Sequence, residues 1–278
     1  MTLRERAELA TARRVVVKVG SSSISGENAA NIQPLVGALA AAHARGTEVV
    51  LVSSGAIATG MPFLNLDTRP SDLATQQAAA AVGQNVLVYR YQAALRPFEI
   101  VAGQVLLTAG DLEDPTPRSN ARRAMERLLG LRILPIVNEN DTVATHEIRF
   151  GDNDRLAALV ARLIGADALV LLSDIDCLYT RPPDEPGARP IDRVAHDDDL
   201  SGFQFGSVVV NSVGTGGAAT KASAAKVASA SGIAVLVTSI DLVTPALAGQ
   251  QVGTWFEPNP DAVRPPLTGS VPTVAGRD

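Results

Sequence analysis

Residues 15–26 read VVVKVGSSSISG, and this stretch predicts the start of a buried parallel sheet. Valines on both sides of a single lysine are typical of a strand covered on both faces. Gly20 and the serines after it predict a tight turn at the strand's carboxyl end. A buried lysine is costly unless an anion compensates its charge, so we expect Lys18 to face an anion. The alternative is a lysine whose ammonium group reaches solvent at the edge of the sheet.

Outward from this strand, apolar runs alternate with helical stretches along most of the chain. The predicted strands are residues 15–19, 48–52, 99–107, 133–137, 168–172 and 234–238. The predicted helices are residues 28–45, 71–95, 118–129, 155–164 and 220–231. This alternation predicts an α/β fold, a three-layer α/β/α sandwich with a largely parallel central sheet.

Polar clusters directly follow several of the predicted strands. They are Gly20–Ser23, Ser53–Gly55, Asn138–Asp141 and Ser173–Asp174. In open parallel sheets, ligands bind at the carboxyl ends of the strands. We therefore expect these clusters to line one shared cleft.

A second candidate anion site is the glycine-rich stretch before the predicted helix at 220–231. It consists of Gly214, Thr215, Gly216, Gly217, Ala218, Ala219, Thr220 and Lys221. Glycines let the backbone approach phosphate oxygens, and a helix N-terminus with a lysine favours negative charge. The order of residues differs from a Walker A loop. A flexible linker is the alternative interpretation.

Two further clusters, NEND at 138–141 and GDND at 151–154, are rich in carboxylates and amides. If residues 143–150 form a hairpin, both clusters would point into one space. Carboxylates there could pair with an ammonium group, and amides could bind a carboxylate. Simple turn chemistry is the alternative for either cluster, and the spacing of a calcium-binding EF-hand is absent.

The composition excludes several function classes. The chain of 278 residues has a net charge of −5, 4% aromatic residues and no basic tract, so nucleic acid is not an expected partner. No apolar stretch approaches the ~20 residues that span a bilayer and no signal-peptide core is present, so we expect a cytoplasmic protein. His43, His146 and His196 are far apart, so zinc is not expected, and the single cysteine, Cys177, predicts a buried inert thiol.

The remaining features favour phosphoryl transfer, which needs positioning and charge neutralisation more than covalent help. No GxSxG elbow is present, and Ser54 has no obvious histidine base. Only three of the 24 basic residues are lysines, and two of them, Lys18 and Lys221, lie in candidate phosphate-binding turns. The third, Lys226, is expected to be a solvent-facing helix residue.

Taken in order, these motifs resemble the glutamate 5-kinase family of the amino acid kinase superfamily. The matching segments are KVGSSS at 18–23, VSSGAIATG at 52–60, AAAAVGQ at 78–84, NENDTV at 138–143, FGDND at 150–154, GADALVLLSD at 165–174 and GTGGAATK at 214–221. The resemblance implies the amino acid kinase fold and ATP-dependent phosphorylation of the γ-carboxylate of L-glutamate, the first step toward proline. ATP would be the second substrate, and Mg²⁺ would arrive mainly with it.

The resemblance also assigns roles to individual residues. Lys18 and Lys221 would neutralise the transferring phosphoryl group, and Asp154 would hold both lysines. The glutamate site would comprise Ser54, Gly55, Asp141 and Asn153. The ATP site would comprise Lys18, Gly20, Ser173, Asp174 and the loop residues Thr215, Gly216, Gly217, Ala218, Ala219, Thr220 and Lys221. Many relatives carry methionine where Ala218 stands, which would change the packing of the loop without removing a charge.

By the same resemblance, residues 1–258 form one kinase domain with an acceptor-binding half, about 1–165, and a nucleotide-binding half, about 166–258. Residues 259–278 are expected to be a proline-rich tail, without the C-terminal PUA domain of many bacterial relatives. A homo-oligomer, feedback inhibition by proline and functional coupling to glutamate-5-semialdehyde dehydrogenase are also implied.

Two alternatives stay open at this point. The first is a related kinase that phosphorylates aspartate or N-acetylglutamate. An acidic acceptor site disfavours N-acetylglutamate, which lacks the α-ammonium group that a carboxylate such as Asp141 would pair with. The second is a non-catalytic regulator that binds glutamate, proline or nucleotide.

Overall fold

The computed structural model describes residues 1–144, 153–203, 210–211, 214–215 and 217–263. Its strands are β1 (Arg14–Lys18), β2 (Glu48–Val52), β3 (Ala102–Leu107), β4 (Leu134–Glu139), β5 (Ala168–Ser173), β6 (Arg193–Val194), β7 (Val210–Asn211), β8 (Gly214–Thr215), β9 (Ala234–Ser239) and β10 (Thr254–Phe256). Its α-helices are α1 (Ile32–Ala44), α2 (Ala56–Gly60), α3 (Leu73–Leu95), α4 (Ala109–Glu113), α5 (Pro115–Gly130), α6 (Asn153–Leu163), α7 (Ala218–Ala230) and α8 (Val243–Leu247).

Eight of these strands form one sheet in the order β3-β4-β2-β1-β5-β9-β10-β6. All pairs in it are parallel except β9 with β10. Strand β1 lies between β2 and β5, and every one of its residues is buried. The predicted parallel sheet is therefore confirmed, and the carboxyl ends of β1, β2, β4 and β5 lie next to one another.

Helices cover both faces of the sheet, which confirms the three-layer sandwich. One apolar cluster contains Val15 and Val17 of β1 together with residues of α1, α3 and α8. The other contains Val16 together with residues of α5, α6 and α7. Because successive side chains of a strand point to opposite faces, the valine run at 15–17 serves both clusters.

Four short strands were not predicted: β6, β7, β8 and β10. Residues 193–194 of β6 pair in parallel with Trp255 and Phe256 of β10. Trp255 and Phe256 are completely buried. Strands of two and three residues are too short to show a hydrophobic period, so only the tertiary pairing reveals them.

Other boundaries differ by a few residues. The helix predicted from residue 28 begins with a 3₁₀ segment, Gly26–Asn31, and becomes α-helical at Ile32. The predicted hairpin at 143–150 and the tail beyond residue 263 lie largely outside the described residues. No helix among the described residues combines the length and hydropathy needed to cross a bilayer.

Candidate active site

The three charged residues singled out in the sequence lie together at the carboxyl end of the sheet. The Lys18 Nζ is 2.5 Å from the Asp154 Oδ1, and the Lys221 Nζ is 3.3 Å from the Asp154 Oδ2. All three residues are buried, and Asp154 is completely so. Residues 18, 154 and 221 come from β1, α6 and α7, so the fold brings together groups that the sequence separates widely.

Asp154 is held in place at the start of a helix. It lies in the first turn of α6, where the helix dipole and unpaired N–H groups favour a negative charge. Apolar residues of α6, such as Leu156 and Val160, pack against the sheet and fix the direction of the helix. One carboxylate can therefore contact two lysines that arrive from different elements.

The glycine-rich stretch leads into α7, as predicted. The Thr220 hydroxyl accepts a hydrogen bond from the Gly217 N–H at 3.0 Å and lies 3.5 Å from the Asp154 Oδ2. Ala218 and Ala219 form the first turn of α7, and Lys221 follows on the side that faces Asp154. The N-terminus of α7 and the lysine pair thus open onto the same region, which suits a polyphosphate.

Beside the charged cluster lies a set of neutral hydrogen bonds built around Asn153. Its Nδ2 donates to the Ser53 carbonyl oxygen at 2.8 Å, to the Ser54 Oγ at 3.0 Å and to the Asn138 Oδ1 at 2.8 Å. These partners stand at the carboxyl ends of β2 and β4, so Asn153 ties α6 to both strands. Two of the predicted acceptor-site residues, Ser54 and Asn153, are therefore in direct contact.

Gly55 and Gly83 allow the backbone around α2 to pack closely beside this region. Gly55 has a φ of 95°, a left-handed conformation that favours glycine, and it turns the chain from β2 into α2. At Gly83 of α3, a Cβ would lie 1.8 Å from the Ala56 carbonyl oxygen, so only glycine allows α3 to approach α2 this closely. The segments SSGAIATG and AAAAVGQ therefore fold against each other.

On the presumed nucleotide side, Ser173 ends β5 and is buried, whereas Asp174 is exposed. The Ser173 Oγ donates to the Asp174 Oδ1 at 3.1 Å. Gly20 follows the end of β1, and a Cβ there would lie 4.0 Å from the Lys18 Nζ. Both positions therefore border the carboxyl end of the sheet, as the sequence predicted.

The position of Asp141, Thr215 and Gly216 relative to this cluster stays a prediction. Asp141 lies in the turn after β4 and is half-buried. Thr215 belongs to β8, and nothing is described of its side chain. Gly216 lies outside the described residues, as does Asp152 in the GDND segment.

Four residues of the site received no individual role from the sequence: Ser53, Gln84, Tyr91 and Asn138. The Ser53 Oγ lies 2.9 Å from the Tyr91 hydroxyl, and the Asn138 Nδ2 donates to the Gln84 Oε1 at 2.6 Å. Burial raises the pKa of the Tyr91 hydroxyl, which is therefore protonated at neutral pH. The matching segments of the family include Ser53, Asn138 and Gln84. The sequence around Tyr91, by contrast, does not predict that its hydroxyl group forms a hydrogen bond.

The described residues do not include a group of three or more histidines, cysteines or carboxylates that could hold a metal ion. Asp154, the carboxylate at the centre of the cluster, contacts two lysines instead.

Comparisons with known proteins show the family of the chain. The model of the amino acid kinase family matches residues 13–239. A glutamate 5-kinase of Clavibacter sepedonicus is 72% identical over 91% of this chain and 97% of its own length. One from Leifsonia xyli subsp. xyli is 69% identical over 93% of this chain and 96% of its own length.

Two solved structures share the fold at low identity. Carbamate kinase from Giardia lamblia bound to AMP-PNP has a TM-score of 0.65 and 13% identity, covering 90% of this chain and all of that chain (100%). The T. acidophilum isopentenyl phosphate kinase product complex has a TM-score of 0.61 and 16% identity, covering 87% of this chain and 99% of that chain. The chain therefore belongs to the amino acid kinase family and, within it, to the glutamate 5-kinases.

Proposed function

We propose that this site transfers the γ-phosphoryl group of ATP to the γ-carboxylate of L-glutamate, giving glutamyl 5-phosphate for proline biosynthesis. The observation that carries the proposal is the contact of Lys18 and Lys221 with one buried carboxylate, Asp154, beside the amide of Asn153. The identity to glutamate 5-kinases supports the choice of acceptor.

The reaction does not require a general base. A carboxylate with a pKa near 4.3 is already ionised at neutral pH, so it can attack without losing a proton. One of its oxygens forms a bond to the γ-phosphorus, and the bond from that phosphorus to the β–γ bridging oxygen breaks. ADP leaves with that electron pair.

Lys18 and Lys221 act on the charge of this step. They contact the two oxygens of Asp154, so one carboxylate holds both ammonium groups at the carboxyl end of the sheet. Such preorganised cations stabilise the charge on the transferring group without reorganisation during the reaction. Mg²⁺ bound to the ATP phosphates would add to this neutralisation.

The amide network defines which atom of Asn153 the acceptor meets. Its Nδ2 donates to three acceptors among the described residues, so the Oδ1 is the atom that we propose for contact with the ligand. A carbonyl oxygen accepts hydrogen bonds, so it suits the α-ammonium group of a free amino acid better than a carboxylate. Together with Asp141, which follows Asn138 by three residues, an oxygen of Asn153 that faces the acceptor supports glutamate over N-acetylglutamate.

The two halves of the chain take different parts in this proposal. Residues 1–165 supply Ser54, Asn138 and Asn153 for the acceptor, and residues 166–258 supply Ser173 and the start of α7 for the nucleotide. Lys18 is the exception, because β1 places it between the two. Inhibition by proline would follow if proline competes for the acceptor side.

The test is to supply ATP, Mg²⁺ and hydroxylamine with glutamate, aspartate or N-acetylglutamate, and to measure the hydroxamate formed from any acyl phosphate. We expect a hydroxamate with glutamate as the acceptor but not with aspartate or N-acetylglutamate. A purified protein that binds ATP but forms no glutamate-dependent hydroxamate would contradict the proposal and favour a regulator. A larger yield with aspartate or N-acetylglutamate would reassign the acceptor.

A further inference from the structure

Gln84 is a buried polar residue of α3 that lies next to the acceptor side of the site. Only 8% of it is exposed, and its Oε1 accepts a hydrogen bond from the Asn138 Nδ2 at 2.6 Å. The preceding residue, Gly83, lies against the backbone of α2 and leaves no room for a Cβ. The close approach of the two helices therefore fixes where the head of Gln84 can reach.

The orientation of each amide in this region follows from one main-chain donor. The Glu139 N–H donates to the Asn138 Oδ1 at 2.9 Å, so that atom is the oxygen. The Asn138 Nδ2 must then point the other way, toward Gln84, whose facing atom has to be an acceptor. The same Asn138 oxygen accepts from the Asn153 Nδ2, which sets the orientation of Asn153 as well.

Gln84 is therefore the outer end of a chain of oriented amides that finishes at Asn153. Without an acceptor at Gln84, the Asn138 Nδ2 would be buried and unpaired, which is unfavourable for a polar group. The Asn138 side chain would then gain by turning toward other acceptors. Such a turn would remove the oxygen that receives the Asn153 Nδ2 and would change which atom Asn153 presents to a ligand.

A purely structural pairing of Gln84 with Asn138 is the simpler explanation, but one atom argues against it. The Gln84 Nε2 is closed to solvent and has no hydrogen-bond partner in the described part of the chain. Leaving a buried donor unpaired destabilises the fold, and replacing both partners by apolar groups of similar shape can be nearly neutral. The unpaired Nε2 of Gln84 therefore calls for an explanation, and a role of Gln84 in orienting Asn138 provides one.

We propose that Gln84 is a positioning residue for the acceptor amino acid, which acts through Asn138 to orient Asn153. This inference rests on the proposed function, because the acceptor is the ligand that Asn153 would meet. It predicts an effect on glutamate binding and little effect on ATP binding. A residue that served packing alone would affect both ligands or neither.

The test compares Gln84→Met, which keeps the side-chain volume and removes the acceptor, with Gln92→Met, a change at an exposed glutamine on the same helix. For Gln84→Met we expect the glutamate KM to rise about tenfold, the value of one hydrogen bond that orients a ligand group. The ATP KM and kcat should change by less than about threefold. Gln92→Met should match the wild type in every constant.

A double-mutant cycle with Asn138→Ala tests whether Gln84 acts through Asn138. The combined variant should bind glutamate no worse than Asn138→Ala alone, because the second change removes an interaction already lost. Additive effects on the glutamate KM would overturn the proposed route. Gln84→Glu provides a second variant, since it keeps an oxygen for Asn138 and should raise the glutamate KM less than Gln84→Met.

The outcomes separate this inference from the proposed function. Wild-type protein without glutamate-dependent activity would refute the function itself. Active wild type with an unchanged glutamate KM in Gln84→Met and in Gln84→Glu would refute only the role of Gln84. Loss of ATP-analogue binding together with glutamate binding would identify Gln84 as a packing residue and overturn the inference.

Discussion

Strand β1 carries a buried cation at each end, and the two cations have different kinds of partners. Arg14, at its amino end, donates to Glu48 at 2.7 Å, to both oxygens of Glu126 and to the Ile164 carbonyl oxygen. Burial alone would lower the pKa of this guanidinium, but its hydrogen bonds to Glu126 and Glu48 outweigh burial and the pKa is raised. At the carboxyl end, Lys18 shares the carboxylate of Asp154 with Lys221.

The difference separates a structural cation from a functional one. One guanidinium with two carboxylates is an arrangement that the protein completes by itself. Two ammonium groups meet at Asp154 where the strands end, which is the place at which parallel sheets bind their ligands, and a nucleotide phosphate is an anion that suits them. Burial of a cation therefore does not by itself indicate function, and its position at the carboxyl or the amino end of the strand has to be considered.

The largest effect should come from the functional end. Replacing Lys221 by alanine should lower kcat about 10³-fold, because a preorganised charge acts mainly on the transition state. The glutamate KM should change far less. Steady-state hydroxamate assays would measure both constants, and an unchanged kcat would remove Lys221 from the mechanism.

A smaller effect is expected where the site is neutral. Asn153→Ala removes the amide that contacts Ser54 and the atom proposed to face the acceptor. We expect the glutamate KM to rise roughly tenfold with little change in the ATP KM. The same assay measures it, and an effect confined to the ATP KM would assign Asn153 to the nucleotide side instead.

The structural end should show the opposite pattern. Arg14→Met leaves the half-buried Glu48 and Glu126 without their shared cation and should lower the free energy of unfolding by about 3 kcal/mol. The kinetic constants of the folded enzyme should equal those of the wild type. Urea unfolding measures the free energy of unfolding. A lower kcat in fully folded Arg14→Met protein would contradict the distinction between the two ends of β1.

The smallest effect is predicted for the third lysine. Lys226 lies on α7 like Lys221, but its Nζ donates to the His196 carbonyl oxygen at 2.6 Å, outside the site. Lys226→Ala should therefore leave kcat and both KM values unchanged, and it should alter stability by less than about 0.5 kcal/mol. It is the matched control for Lys221→Ala, and a comparable loss of kcat would show that charge on α7 matters in general.

The sequence predicted the layers of the fold because apolar periods report burial directly. Strand β2 was predicted residue for residue, and β1 was predicted to extend one residue too far, to Val19, which still donates to Val52 beyond the strand's end. Pairing between β6 and β10 was missed, since two-residue strands depend on contacts distant in sequence.

The site was predictable to a different degree. Lys18 and the glycine-rich stretch stand out by composition, but no spacing shows that residues 18, 154 and 221 meet, so that grouping came from the resemblance alone. Gln84 and Tyr91 could not be assigned, because a polar residue on an apolar helix gives no sign of its partner. Their partners, Asn138 and Ser53, become visible only once the strand ends are placed side by side.

The proposed attack of the glutamate γ-carboxylate on ATP, beside Lys18 and Lys221, can be tested with glutamate that carries ¹⁸O in its γ-carboxylate. The labelled glutamate is supplied with ATP, Mg²⁺ and hydroxylamine, and the released phosphate is analysed by mass spectrometry. Hydroxylamine attacks the carbonyl carbon of the acyl phosphate, so the bridging oxygen leaves with phosphorus. We predict phosphate that carries one ¹⁸O atom for each hydroxamate formed, whereas unlabelled phosphate would show transfer to water and contradict the account.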